Sequence, residues 1–159
     1  MTMTLVETIT VGSGGAASIE FTGIPGNAKD LVLSVSLRNS VDSPSATVSF
    51  NSGGTYSRIR LLGNGSAASS DSATIDVQSN TSISTANTFS NSSLYVSNYA
   101  TSAAKSYSVD SVNENNATLA NQSMIAGSWT GTAAITSVEL TPTSGNFVEH
   151  STASLYIIS

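Results

Sequence analysis

At 159 residues the chain suits one ordinary domain, able to bury about two-thirds of the surface it exposes when unfolded. Charged residues make up only 9% against roughly 25% in an average soluble protein, which excludes a chain held open by charge repulsion. A net charge of −5, with Lys29, Arg38, Arg58, Arg60 and Lys105 as the whole basic complement, argues against nucleic-acid binding, and the lack of cysteine excludes disulfides and thiolate metal sites.

In chain order, Leu5 to Val11 alternates apolar and polar residues and predicts a first strand. Gly12-Ser13-Gly14-Gly15 closes it, and Ala17 to Thr22, with Ile19 and Phe21 on one side, predicts a second that forms a hairpin with the first. After the turn Ile24-Pro25-Gly26-Asn27, the segment Asp30 to Asn39 carries the clearest pattern. Leu31, Leu33, Val35 and Leu37 occupy every second position, so one side of a pleated strand is continuously aliphatic and must be buried. We expect this to be a central strand.

Thr47 to Asn51 and Tyr56 to Leu62 follow. In the latter, Tyr56, Arg58, Arg60 and Leu62 share one side, and Ser57, Ile59 and Leu61 the other. Gly63 to Ser72 reads as a loop, and Ile75 and Val77 mark a short strand. Phe89 to Asn98, Tyr107 to Asn113, Met124 to Trp129, Ile135 to Thr141 and Ala153 to Ile158 complete the set. Glu114 to Gln122 reads as a loop, and Pro142 to Asn146 as a turn. About ten short strands between turn signals, with no sustained helical period, predict an all-β antiparallel sandwich of jelly-roll type, a single domain over residues 1–159.

Catalytic chemistry has little to draw on. His150 is the only histidine, and no nucleophile elbow accompanies the many serines. Each carboxylate reads as a solvated or turn residue, and Asp71 and Asp76 bracket too irregular a stretch for a calcium loop. We therefore expect no catalytic, metal or cofactor site. The candidate contact residues are Arg58, Arg60, Tyr95 and Tyr99. Two guanidinium groups on one side of a strand need anionic partners, either on a neighbouring subunit or in intramolecular salt bridges. Tyr95, Tyr99, Tyr107 and Trp129 serve either as a sugar-stacking platform or as core. The N-terminal MTMTLVETITV shows no signal-peptide pattern, and nothing approaches the length of a membrane span.

Three stretches, Phe50 to Ser66, Ser106 to Thr118 and Ile125 to Tyr156, carry a resemblance, with TPTSGNF and ENNAT as their more specific runs. Together with Gly12 to Ala17 and Ile24-Pro25, they resemble a family of small structural proteins encoded by tailed phages of marine bacteria and cyanobacteria. The resemblance implies a non-catalytic β-sandwich on the outside of a virion, made in host cytoplasm. As a capsid decoration protein it would be docked on the major capsid protein as a homo-oligomer. A receptor-binding module of a tail or fibre, with a host surface glycan as ligand, is the alternative, and a carbohydrate-active enzyme the third.

Overall fold

The computed structural model describes residues 1–72, 76–116 and 119–159. Twelve strands run in the order β1 (Met3–Thr10), β2 (Ile19–Phe21), β3 (Asp30–Ser36), β4 (Ser45–Phe50), β5 (Tyr56–Gly63), β6 (Ala68–Ser72), β7 (Val77–Gln78), β8 (Asn91–Val96), β9 (Lys105–Glu114), β10 (Ala120–Trp129), β11 (Val138–Pro142) and β12 (Thr152–Ile158). They form two antiparallel sheets, ordered β1-β12-β3-β8-β9-β10-β5-β6 and β2-β11-β4-β7. Among the described residues there is no helix, hence none long and apolar enough to cross a membrane.

The topology contains a simpler one. Removing β5–β6 and β9–β10, each an antiparallel hairpin, leaves the orders β1-β12-β3-β8 and β2-β11-β4-β7. Renumbered along the chain, these eight strands stand as 1-8-3-6 against 2-7-4-5, the double Greek key of a jelly roll. The two hairpins extend only one sheet, to eight strands, while its partner keeps four.

Side-chain alternation explains the core. On β3, Leu31, Leu33 and Val35 point inward and are at most 3% exposed, and Leu37 just beyond is fully buried. Register continues the apolar row through Leu155, Leu33, Leu94, Val109 and Ile125 on five neighbouring strands. The small sheet answers with Ile19, Phe21, Ala46, Val48, Phe50, Val138 and Leu140 in the same cluster. Each fully buried aliphatic or aromatic side chain here contributes about 1.5–3 kcal/mol. Phe50 packs edge-on against Tyr107 and Trp129, at centroid distances of 5.7 Å each.

Two glycines make room for this aromatic group. A Cβ at Gly54, which has a φ of +105°, would run into the Trp129 indole, and one at Gly127 into the Tyr107 ring on the next strand.

Several expectations change. β1 and β2 form no hairpin: β1 pairs with β12 in the large sheet and β2 with β11 in the small one, as jelly-roll connectivity requires. Within the segment read as a loop, Ala68–Ser72 is edge strand β6, paired with β5 and exposed along its length. It lacks apolar alternation because neither side is buried. Of the run read as a loop from Glu114, the residues from Ala120 belong to β10, while Ala117 and Thr118 lie outside the described residues, as does Ile75.

Candidate functional site

The two arginines of β5 turn inward. Arg58 Nε and Nη2 donate to Asp76 Oδ1 and Oδ2 at 2.6 and 2.8 Å, a bidentate pair in which the Asp76 side chain has no exposure. The same carboxylate accepts the Tyr107 hydroxyl at 2.8 Å and the Val48 N–H at 2.8 Å. Four donors on one buried carboxylate, with Tyr56 stacked 4.3 Å from the guanidinium, tie β5, β9 and β4 together. Burial works against the Arg58 charge, but the Asp76 carboxylate more than offsets it and raises the Arg58 pKa. Burial and the adjacent carboxylate push the Tyr107 hydroxyl far above its ordinary value. Arg60 pairs with Asp71 on β6 at 2.5 Å at a more open position. Both arginines are thus held by intramolecular salt bridges, and neither offers a free guanidinium to a partner. Asp76, far from being a solvated turn residue, is the centre of the buried network.

Tyr99 is fully buried, its hydroxyl donating to the Pro25 carbonyl, so it leaves the list of contact residues. Tyr107 and Trp129 are likewise core, at 5% and 3% exposure. No stacking platform of four aromatics exists. Tyr95 alone of that set reaches the surface, 38% exposed. Its hydroxyl donates to Asp30 Oδ2 at 2.6 Å, and Asp30 Oδ1 accepts the Asn98 N–H at 2.9 Å. Burial pushes the Asp30 pKa up, but these two hydrogen bonds and the charge of Lys29 hold it below the ordinary value.

With its charges inward, β5 necessarily turns its aliphatic side out. Ile59 and Leu61 are 55% and 57% exposed, and Met124 on β10, directly opposite Leu61, is 55% exposed. Register defines two outward rows across seven strands. One reads Tyr156, Val32, Tyr95, Ser108, Ala126, Ile59 and Ser72, the other Ser154, Ser34, Ser93, Asp110, Met124, Leu61 and Ser70. Asp110 is the only charged residue in either row, and its Oδ1 accepts the Gln122 amide at 2.8 Å. Between the Tyr95 ring and the ridge of Ile59, Leu61 and Met124, the small residues Ser93, Ser108 and Ala126 floor a groove of about 600 Å³. This groove lies on the part of the sheet that the inserted hairpins enlarge.

A second concavity of about 240 Å³ is polar, and contains Asp42, Arg60, Gln78, Asn113 and Glu114. Two of its three charged side chains are already committed. Arg60 is held by Asp71, and Glu114 accepts the Thr85 and Thr88 hydroxyls at 3.0 and 2.7 Å and the Asn116 N–H at 2.6 Å. Burial raises the Glu114 pKa, and these hydrogen bonds more than reverse the effect. His150 is exposed in a turn at a φ of 72°. Among the described residues no three histidines, aspartates or glutamates stand close enough to hold a metal ion.

Sequence reasoning missed Ile59, Leu61 and Met124. The signal was the alternation in β5 itself: once Arg58 and Arg60 pair inward, Ile59 and Leu61 have only solvent to face. Compared with known proteins, the chain matches no family model, no curated protein and no solved structure.

Proposed function

We propose that this is a non-catalytic structural protein of the outer surface of a tailed-phage particle, a capsid decoration protein that docks on the major capsid shell and works by adhesion. The observation that supports an adhesive role is the inverted strand β5, charged side chains inward and Ile59 and Leu61 outward on a sheet face with almost no charge. A soluble monomer gains nothing from that arrangement, whereas a protein-contact surface is depleted of charge at its centre and carries aromatic and aliphatic anchors. Departures from local rules of this kind concentrate at functional sites. The jelly-roll fold agrees with capsid proteins but hosts lectins and cupins too, so it adds weight only by analogy. The phage assignment itself rests on the sequence resemblance.

Imaging purified particles with and without this product tests the reading. Shells lacking it are expected to lose a surface protrusion, and shells that keep every protrusion would overturn it. The exposed Tyr95 beside the hydroxyls of Ser93 and Ser108 favours one second reading, a receptor-binding module for a host surface glycan. That reading predicts adsorption of the purified protein to host cells, lost in Tyr95→Ala. No adsorption at micromolar protein would remove it.

A further inference from the structure

We infer that the outward face of the eight-stranded sheet is a self-association surface, on which a second copy of this chain seats face to face about a two-fold axis. The inference rests on reading this face as a contact surface. It is independent of the phage assignment: with a copy covering this face, any particle contact is made by the remaining surface of the dimer.

The area is right for a small, stable dimer. Ile59, Leu61, Met124, Tyr95 and Val112, each 38–57% exposed, together present on the order of 500 Å², at the upper end of what a monomer leaves open. A specific interface buries about 800 Å² on each partner with roughly 65% of its core apolar, again on the order of 500 Å².

Charge singles out the occupant. In a two-fold contact every side chain near the axis meets its own copy, so a charged face repels itself unless the opposite charge stands beside it. The chain carries a net −5, yet its two outward rows contain one carboxylate, Asp110, and no cation. A strongly basic or acidic partner would find only Asp110 to recognise, and a copy meets no repulsion where the axis keeps the two Asp110 carboxylates, each holding a Gln122 amide, apart.

Shape gives the geometry. Tyr95 and Ile59 stand in one row, three strand spacings apart, so about 14 Å separates the backbones that carry the groove's two walls. The aliphatic ridge of a copy fits that space, and the two-fold operation places the first copy's ridge in the second copy's groove. Packing sheet to sheet at about 10 Å follows from such interdigitation. The Tyr95 ring, fixed by its 2.6 Å hydrogen bond to Asp30, forms a wall that loses little freedom on binding.

Sedimentation of the purified full chain tests this across about 1–100 µM. Wild type is expected to form a dimer of the 16.2 kDa chain. Leu61→Asp and Met124→Glu are each expected to weaken it by roughly a hundredfold or more, since each substitution acts twice in a symmetric contact. Both sites are exposed, so their thermal melts serve as folding controls. A second measurement needs no disruption. In this cysteine-free chain, Ala126→Cys is expected to be joined copy to copy by a short bifunctional thiol reagent that spans the roughly 10 Å between packed sheets, and Glu20→Cys on the small sheet is not. A wild-type monomer throughout the range would overturn the inference. So would a dimer indifferent to both substitutions, or an Ala126→Cys chain that stays uncrosslinked. Loss of the phage assignment, read from particles that keep every protrusion, leaves all of these outcomes unchanged.

Discussion

The two faces of the large sheet are made by the same strands and differ in what they hold. On β10, Ile125 is 3% exposed and Met124, one residue earlier, 55%. The inward face is closed, its apolar row sealed by the small sheet and Arg58 paired with the buried Asp76. The outward face is open, almost uncharged and floored with serine and alanine. Stability is stored on one side and, on our proposal, association on the other, and strand β5 shows the division most plainly. Its arginines serve the inside and its aliphatic residues the outside.

The inward face breaks hardest at Asp76. Asp76→Leu leaves the Arg58 guanidinium buried without its counter-charge, and a loss of about 3–5 kcal/mol in denaturant unfolding is expected. Arg58→Met combined with Asp76→Leu is expected to lose less than the single change, because the unpaired charge goes too. Next is Lys105, 1% exposed, whose Nζ donates to the carbonyls of Thr101, Ala103 and Ala133 at 2.7, 2.6 and 2.7 Å. Burial holds its pKa below the ordinary value, and the ammonium lies 5.5 Å from the Trp129 ring. Lys105→Met strands those carbonyls, and a cost of about 3 kcal/mol in the same assay is expected.

Acid sharpens the contrast further. The folded pKa values of Asp30 and Glu114 lie below their ordinary 3.8 and 4.5. Their contribution is therefore complete above those ordinary values and is lost as pH falls through the lower folded ones. Unfolding followed against pH should show stability declining below about pH 4, with a shallower decline in Asp30→Asn and Glu114→Gln. Arg60→Ala, at the open end of the inward face, removes a pair whose Asp71 side chain is 44% exposed. It is expected to cost at most about 1 kcal/mol in the same unfolding assay. Leu61→Ser on the outward face should change stability by no more than about 0.5 kcal/mol, read from thermal melts of dilute protein.

Much of the architecture was legible in the sequence because two-residue alternation is a local signal. Leu31, Leu33, Val35 and Leu37 announce a buried strand without reference to anything else. Pairing is not local. The Gly12-Ser13-Gly14-Gly15 turn suggests a hairpin, yet β1 and β2 belong to different sheets, since their partners β12 and β11 come more than a hundred residues later. β6 was illegible for a different reason: a strand exposed on both sides leaves no hydrophobic pattern.

The exposed apolar face was half legible. Alternation in β5 separated the arginines from Ile59 and Leu61, but alternation does not say which side is inside. That was decided by Asp76, a residue 18 positions downstream of Arg58 in a stretch without pattern. Aromatic residues likewise advertise burial or contact equally well. Tyr95 and Tyr99, four residues apart, end one exposed and the other fully buried.

The most direct measurement is the rate of Met124 oxidation, followed by mass spectrometry with the fully exposed Met1 as reference in the same sample. If the outward face is where this protein adheres, Met124 oxidises readily in dilute solution and is protected in concentrated or particle-bound protein, while Met1 reacts at one rate throughout. Equal Met124 rates in the dilute and assembled states would contradict the account.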